Sequence, residues 1–300
     1  MTDVGLRARL RALLGPGRPG AGFAGVERLG HSACHGWVLE DLLFRNADGE
    51  AVPAFFLRPP EGHAPVPAAI YAHAHGNRYH MGRDELLNGR PALQSPYAPD
   101  LVAAGIATLC IEMPCFGARA EPGESARVKA ALWQGEPLFA QMLAEQVAGV
   151  DFLTAHPVVR GDRIGTLGFS MGSTLAFWLA ALEPRIRACS ALCSFADLAT
   201  LVESGAHDGH GHYMTVPGLL SVARTGQIAG LIAPRALQIG VGLQDWSTPE
   251  AAVAVARNDL EAAYSRGGRL VMHVDPDAGH EETPAMRAAV LKFLAEELGA

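Results

Sequence analysis

The apolar positions of this chain change their spacing as the sequence proceeds. Two strand-like runs, 37–44 and 52–57, flank the turn-favouring residues Asn46, Asp48 and Gly49, and predict a β-hairpin. Beyond them, short continuous apolar runs alternate with longer segments of helical character. Strands are expected over 68–72, 106–111, 163–168, 188–192, 236–241 and 270–274, and helices over 137–155, 173–182, 249–265 and 284–298, with another helical region ending near Ala104. Strands that alternate with helices form βαβ units, so an α/β fold with a mostly parallel sheet covered on both faces is expected. Uninterrupted apolar strands suit that burial.

Two stretches break the alternation, 113–136 and 195–233. Long connections inside a compact domain are usually functional or carry structure of their own. The second contains Asp208, Gly209, Gly211, Pro217 and Gly218 and is expected to fold as a small cap over the strand ends. The domain reading is a helical and loop leader over 1–36 followed by one domain over 37–300 with a cap insertion at about 195–233.

Composition narrows the class. With 300 residues and 49% hydrophobic content the chain can bury a large core, and a net charge of -7 leaves no electrostatic footprint for nucleic acid. The basic residues that do gather, Arg7, Arg9, Arg11 and Arg18, are interleaved with Leu6, Leu10, Leu13 and Leu14, as in a short amphipathic helix lying on the protein body; a membrane-surface helix is the weaker alternative. The first residues lack a signal-peptide pattern and no apolar stretch reaches spanning length, so a cytoplasmic location is expected. Five cysteines without a C-x-x-C pair (Cys34, Cys110, Cys115, Cys189, Cys193) indicate neither a disulfide framework nor a zinc ribbon.

The chemistry centres on Gly168-Phe169-Ser170-Met171-Gly172, which follows an apolar strand and opens a helix. G-x-S-x-G in that context describes a nucleophile elbow, a turn so tight that the serine hydroxyl projects above the sheet. An ordinary helix entry with Ser170 as N-cap is the bland alternative. A serine nucleophile needs a base, and the base needs an orienting acid. Functional groups of a doubly wound sheet sit at the carboxyl ends of strands. His280 follows the last strand, and Asp245 follows the strand ending at Val241. The order Ser170, Asp245, His280 matches one of the folds that carry this triad. Asp197, also after a strand, is the serious rival acid, with Asp275 and Asp277 behind it. Two backbone N–H groups are expected to face the oxyanion, that of Met171 after the nucleophile and that of Asn77 in the turn His75-Gly76-Asn77.

These residues resemble an α/β-hydrolase, and within that superfamily the dienelactone hydrolase and acetyl xylan esterase type. The resemblance rests on the His75-Gly76 turn, the segment from Gly168 to Gly172, Asp245, Gly279-His280 and the run Leu231-Ile232-Ala233-Pro234-Arg235, and covers the chain from about Trp37 onward. It implies an eight-stranded, mostly parallel sheet with an antiparallel second strand and hydrolysis through an acyl-enzyme. Dienelactone hydrolases proper use a cysteine nucleophile; serine at 170 points to a serine esterase instead.

The expected activity is hydrolysis of small or short-acyl carboxylic esters, with no cofactor and no metal. Amide or peptide hydrolysis on the same triad and a noncatalytic ligand-binding homologue are the alternatives. His207, His210 and His212 are expected to be cap residues near the pocket rather than metal ligands, and Glu112 either faces the site or anchors the 113–117 loop. The expected partner is a small-molecule ester, without nucleic acid or membrane, and a homo-oligomer is compatible with the sequence.

Overall fold

The apolar runs lie side by side in a single twisted layer. A computed structural model describes residues 3–15 and 22–300. Among these, the strands are β1 (Gly25–Cys34), β2 (Trp37–Arg45), β3 (Ala51–Arg58), β4 (Val66–Ala72), β5 (Ala107–Ile111), β6 (Val159–Phe169), β7 (Ile186–Leu192), β8 (Ala236–Gly242) and β9 (Leu270–Asp275). They form a nine-stranded sheet in the order β1-β2-β3-β5-β4-β6-β7-β8-β9. The first three strands and the β3/β5 pair are antiparallel, and every pair from β5 through β4 to β9 is parallel.

The fold class agrees with expectation, with one more strand than the eight implied. The extra strand is β1, which falls within the segment read from sequence as a leader, so the sheet begins before Trp37. Its residues are almost all exposed, and Gly25 and Gly30 interrupt it. An edge strand with no buried face leaves no hydrophobic period to detect.

The described helices are α1 (Asp3–Leu14), α2 (Glu85–Asn88), α3 (Tyr97–Ala103), α4 (Glu124–Trp133), α5 (Leu138–Ala155), α6 (Met171–Leu182), α7 (Leu198–Ser204), α8 (Thr225–Gly230), α9 (Glu250–Tyr264) and α10 (Pro284–Leu298). Successive strand residues feed opposite layers, as the period of two requires. Ile70, Leu109, Ile164, Leu237 and Ile239 pack with α5, α6, α8 and α9 on one face, while Tyr71, Cys110, Leu167, Phe169 and Leu192 pack with α3 and α10 on the other. Burial on both faces explains why β4, β5 and β8 are buried along their whole length.

The helix behind Ser170 is held at its far end. The carbonyls of a helix's last turn have no intrahelical donor and carry partial negative charge. Here Arg7 donates to Ala181 O, Arg11 to Leu182 O, and Arg235 to Ala180 O and Glu183 O. The N-terminal helix therefore docks on the protein body through buried Leu6, Leu10 and Leu14, with two of its arginines serving α6; Arg18 lies outside the described residues. Arg235, from the run that precedes β8, is the third. No helix among the described residues is long and apolar enough to cross a membrane.

Candidate active site

Five loops at the carboxyl ends of β4, β6, β7, β8 and β9 converge on one cavity of about 120 Å³, whose wall includes Ser170, Met171, His75, Asn77 and His280. Ser170 occupies the turn between β6 and α6 at φ 56°, ψ −119°, a region that non-glycine residues rarely visit. The two glycines around it permit the turn for steric reasons. A Cβ on Gly168 would fall 2.1 Å from the carbonyl group of Gly172, and one on Gly172 would fall 1.8 Å from Ala72 O. Both distances are far inside contact, so the helix and strand could not approach with any other residue there.

The three side chains singled out from sequence meet. Ser170 Oγ lies 2.9 Å from His280 Nε2, and His280 Nδ1 lies 2.7 Å from Asp245 Oδ2. The second oxygen, Oδ1, accepts from Ser247 N–H at 2.8 Å and from Ser247 Oγ–H at 2.7 Å. Burial would raise the pKa of Asp245, which is 2% exposed, but the hydrogen bonds from His280 and Ser247 outweigh it and leave the carboxyl below its ordinary value. An acceptor fixed in that state holds His280 with its proton on Nδ1 and Nε2 free to accept. Asp197 is elsewhere engaged: it caps α7, accepting from Thr200 N–H and Oγ–H at 3.2 and 3.1 Å. Asp275 accepts from Asp277 N–H within its own turn.

Loops bearing these groups are braced by buried ion pairs. Glu282, two residues after His280, accepts from Tyr97 Oη–H, from Gln94 N–H and from Arg287. Beneath the 73–77 loop, Glu85 pairs with Arg90 and accepts from Tyr71 Oη–H and Ala74 N–H. His73 is buried, which pushes its pKa down to about 3 and keeps it neutral; its Nε2 accepts from Met113 N–H at 3.1 Å. Glu112 accepts from Arg83 N–H and Ala118 N–H, so it anchors the loop after β5 rather than facing the cavity.

The expected oxyanion donors are both on the cavity wall. Met171 opens α6, where first-turn N–H groups have no intrahelical acceptor. The N–H of Asn77 is already engaged, donating to His75 Nδ1 at 3.1 Å. That bond fixes the His75 tautomer: Nδ1 accepts, so the proton sits on Nε2 and is donated to Glu124 Oε2 at 2.8 Å. Glu124 also accepts from Tyr79 Oη–H at 2.7 Å and from Tyr213 N–H at 2.6 Å. One carboxylate thus ties the turn after β4 to α4 and to the cap. Burial opposes ionisation of Glu124, yet its three donors bring the pKa down to about 2.

Sequence reasoning named His75 only for its turn and missed Glu124, Tyr213 and Ser247. Glu124 lies in the excursion 113–136, whose length was the available signal. His207, His210 and His212 are cap residues that line a second cavity within the cap, beside the first, and His210 Nε2 donates to Ser247 O at 2.8 Å. Among the described residues no group of three or more histidines, cysteines or acids is placed to hold a metal ion.

The chain shares 34% identity over 260 residues with the putative hydrolase YtaP of Bacillus subtilis, covering 86% of this chain and 87% of that one. Esterase FrsA of Yersinia pestis is 30% identical over 161 residues, 52% of this chain and 32% of the relative. Residues 147–203, which span the elbow, match the model of the BAAT / acyl-CoA thioester hydrolase C-terminal family. Among solved structures, acetyl xylan esterases from Thermoanaerobacterium and Paenibacillus superpose with TM-scores of 0.69 and 0.66 at 19% and 21% identity. They cover 99% and 98% of this chain and 94% of each of those. The chain belongs to the family of the putative hydrolase YtaP and has the α/β-hydrolase fold that these acetyl xylan esterases share.

Proposed function

We propose that the protein hydrolyses small or short-acyl esters through an acyl-enzyme formed on Ser170. The observation that carries this reading is the continuous chain from Ser170 Oγ through His280 to Asp245, with links of 2.9 and 2.7 Å, at a strained elbow. Ser170 Oγ attacks the ester carbonyl while His280 Nε2 takes its proton. Asp245 stabilises the imidazolium and does not itself become protonated. The tetrahedral oxyanion is held by Met171 N–H at the start of α6. The N–H of Asn77 is the second donor, since a charged oxyanion competes well against the neutral His75 nitrogen it now serves. Collapse expels the alcohol with the proton from His280, leaving the acyl group on Ser170. Water, deprotonated by His280, repeats the addition and releases the acid and the free serine.

The cavity of about 120 Å³ around Ser170 favours a small acyl group. The chemistry calls for neither cofactor nor metal, and the proposal carries with it a small-molecule substrate and a cytoplasmic location. Ser170→Ala is expected to lose several orders of magnitude in p-nitrophenyl acetate turnover while keeping its circular dichroism spectrum. Near-wild-type turnover in a folded variant sinks the mechanism. Comparison of an ester with its matching anilide separates ester from amide preference.

A further inference from the structure

The catalytic cavity adjoins a larger one. Within the cap lies a second space of about 400 Å³, more than three times the volume of the first, whose apolar wall is made by Leu201, Val202, Met214, Val216, Leu219 and Leu220. Leu198, Leu201, His210, Gly211 and Met214 line both cavities, so the two spaces are neighbours that share these residues. No arginine or lysine lines the larger space, and its one carboxylate is Asp208. A phosphate or carboxylate finds no fixed cation there, and the hydrogen-bonding groups of the wall are His207, Asp208, His210, His212 and Thr215.

The side of the catalytic cavity on which the two spaces join decides which part of an ester enters. The leaving oxygen must lie near His280 Nε2, which protonates it. Trp246 stands against the His280 ring at 6.3 Å between centroids, and His210 stands against Trp246 at 6.5 Å. His210 is thus on the His280 side and is also a wall of the larger space. The cap is held close there: a Cβ on Gly209 would fall 2.3 Å from the Trp246 ring, and one on Gly211 2.7 Å from the Tyr213 ring.

Resting on the proposed esterase chemistry, we propose that the cap cavity is the binding site for an apolar alcohol moiety. The substrates are then short-acyl esters of aliphatic or aromatic alcohols. The apolar group leaves water for the walls of the cap while the acyl group stays in the small cavity. At roughly 0.8 kcal/mol per buried methylene, a few added carbons are worth tenfold or more in kcat/KM.

Hydrolysis by the full chain is followed by pH-stat on two series: methyl, butyl and hexyl acetate; and methyl butyrate and methyl octanoate. The expected result is a rise in kcat/KM of at least tenfold from methyl to hexyl acetate and no comparable rise in the methyl alkanoates. Val202 and Leu220 are each 49% exposed at the rim of the cavity, so Val202→Trp and Leu220→Trp fill it without disturbing the core. Each is expected to cut the hexyl-to-methyl ratio at least fivefold. A flat alkyl acetate series, a rise in the alkanoate series instead, or an unchanged ratio in both variants overturns the proposal while leaving Ser170 chemistry intact. Absence of any turnover that depends on Ser170 overturns the esterase reading and this inference with it.

Discussion

Glu124 is the residue whose removal the structure makes most informative. Its Oε1 accepts Tyr213 N–H from the cap, and its Oε2 accepts His75 Nε2–H and Tyr79 Oη–H. In Glu124→Gln one of the two oxygens becomes an NH2 donor, so at least one of these three partners faces a like donor. Tyr79 can rotate its hydroxyl. His75 cannot exchange its tautomer, because Nδ1–H would then meet Asn77 N–H. The magnitude follows from linkage. A carboxyl lowered from 4.5 to about 2 contributes about 3 kcal/mol when fully ionised. Because the folded-state pKa is the lower one, this contribution is present above 4.5 and is lost as the pH falls through about 2; near pH 3 about half of it remains. Urea unfolding of wild type and variant, followed by tryptophan fluorescence, should therefore show a gap of about 3 kcal/mol at pH 7 that shrinks to about 1.5 kcal/mol at pH 3. A gap that is the same at both pH values, or below about 0.5 kcal/mol at pH 7, refutes the reasoning.

Four further substitutions probe three separate links. Ser247→Ala removes the hydroxyl donor to Asp245 Oδ1 and should lower kcat/KM about tenfold, near 1.4 kcal/mol, with little change in melting temperature; unchanged kinetics would show that the backbone donor suffices. Gly172→Ala puts a Cβ 1.8 Å from Ala72 O and should cost about 3 kcal/mol or more, seen as a fall in melting temperature that a wild-type value would contradict. Arg235→Met strips donors from Ala180 O, Glu183 O and Ile186 O and should destabilise by about 2 kcal/mol or more. Arg11→Ala, which frees only Leu182 O, should cost about 1 kcal/mol, and the reverse ranking in urea unfolding would discredit the helix-capping account.

The parallel strands and their helices were legible because burial on both faces writes itself into sequence as unbroken apolar runs, and the same runs point to the strand ends where Ser170, Asp245 and His280 stand. β1 was illegible because its side chains are exposed on both faces. Choosing Asp245 over Asp197 required more than position, since both follow strands. The structure separates them by occupation: one carboxylate turns to His280, the other caps α7. Glu124 is the opposite case. Nothing in its own neighbourhood marks it, because its partners come from the turn after β4 and from the cap, more than forty residues away on either side.

That difference has a physical basis. A nucleophile elbow is a local steric solution, so five consecutive residues must satisfy it and can be recognised together. A carboxylate that joins three segments answers to no local constraint, and any ionisable residue at the right place in space would leave the same faint trace in the sequence. The same holds for the cap, where Gly209 and Gly211 are informative only once Trp246, Tyr213 and His75 are seen packed against them. The elbow is therefore encoded along the chain, while the contacts that hold the cap against the site are encoded between segments. Specificity in this fold can then change through substitutions such as those at Val202 and Leu220, which line the cap cavity and leave every residue of the elbow in place.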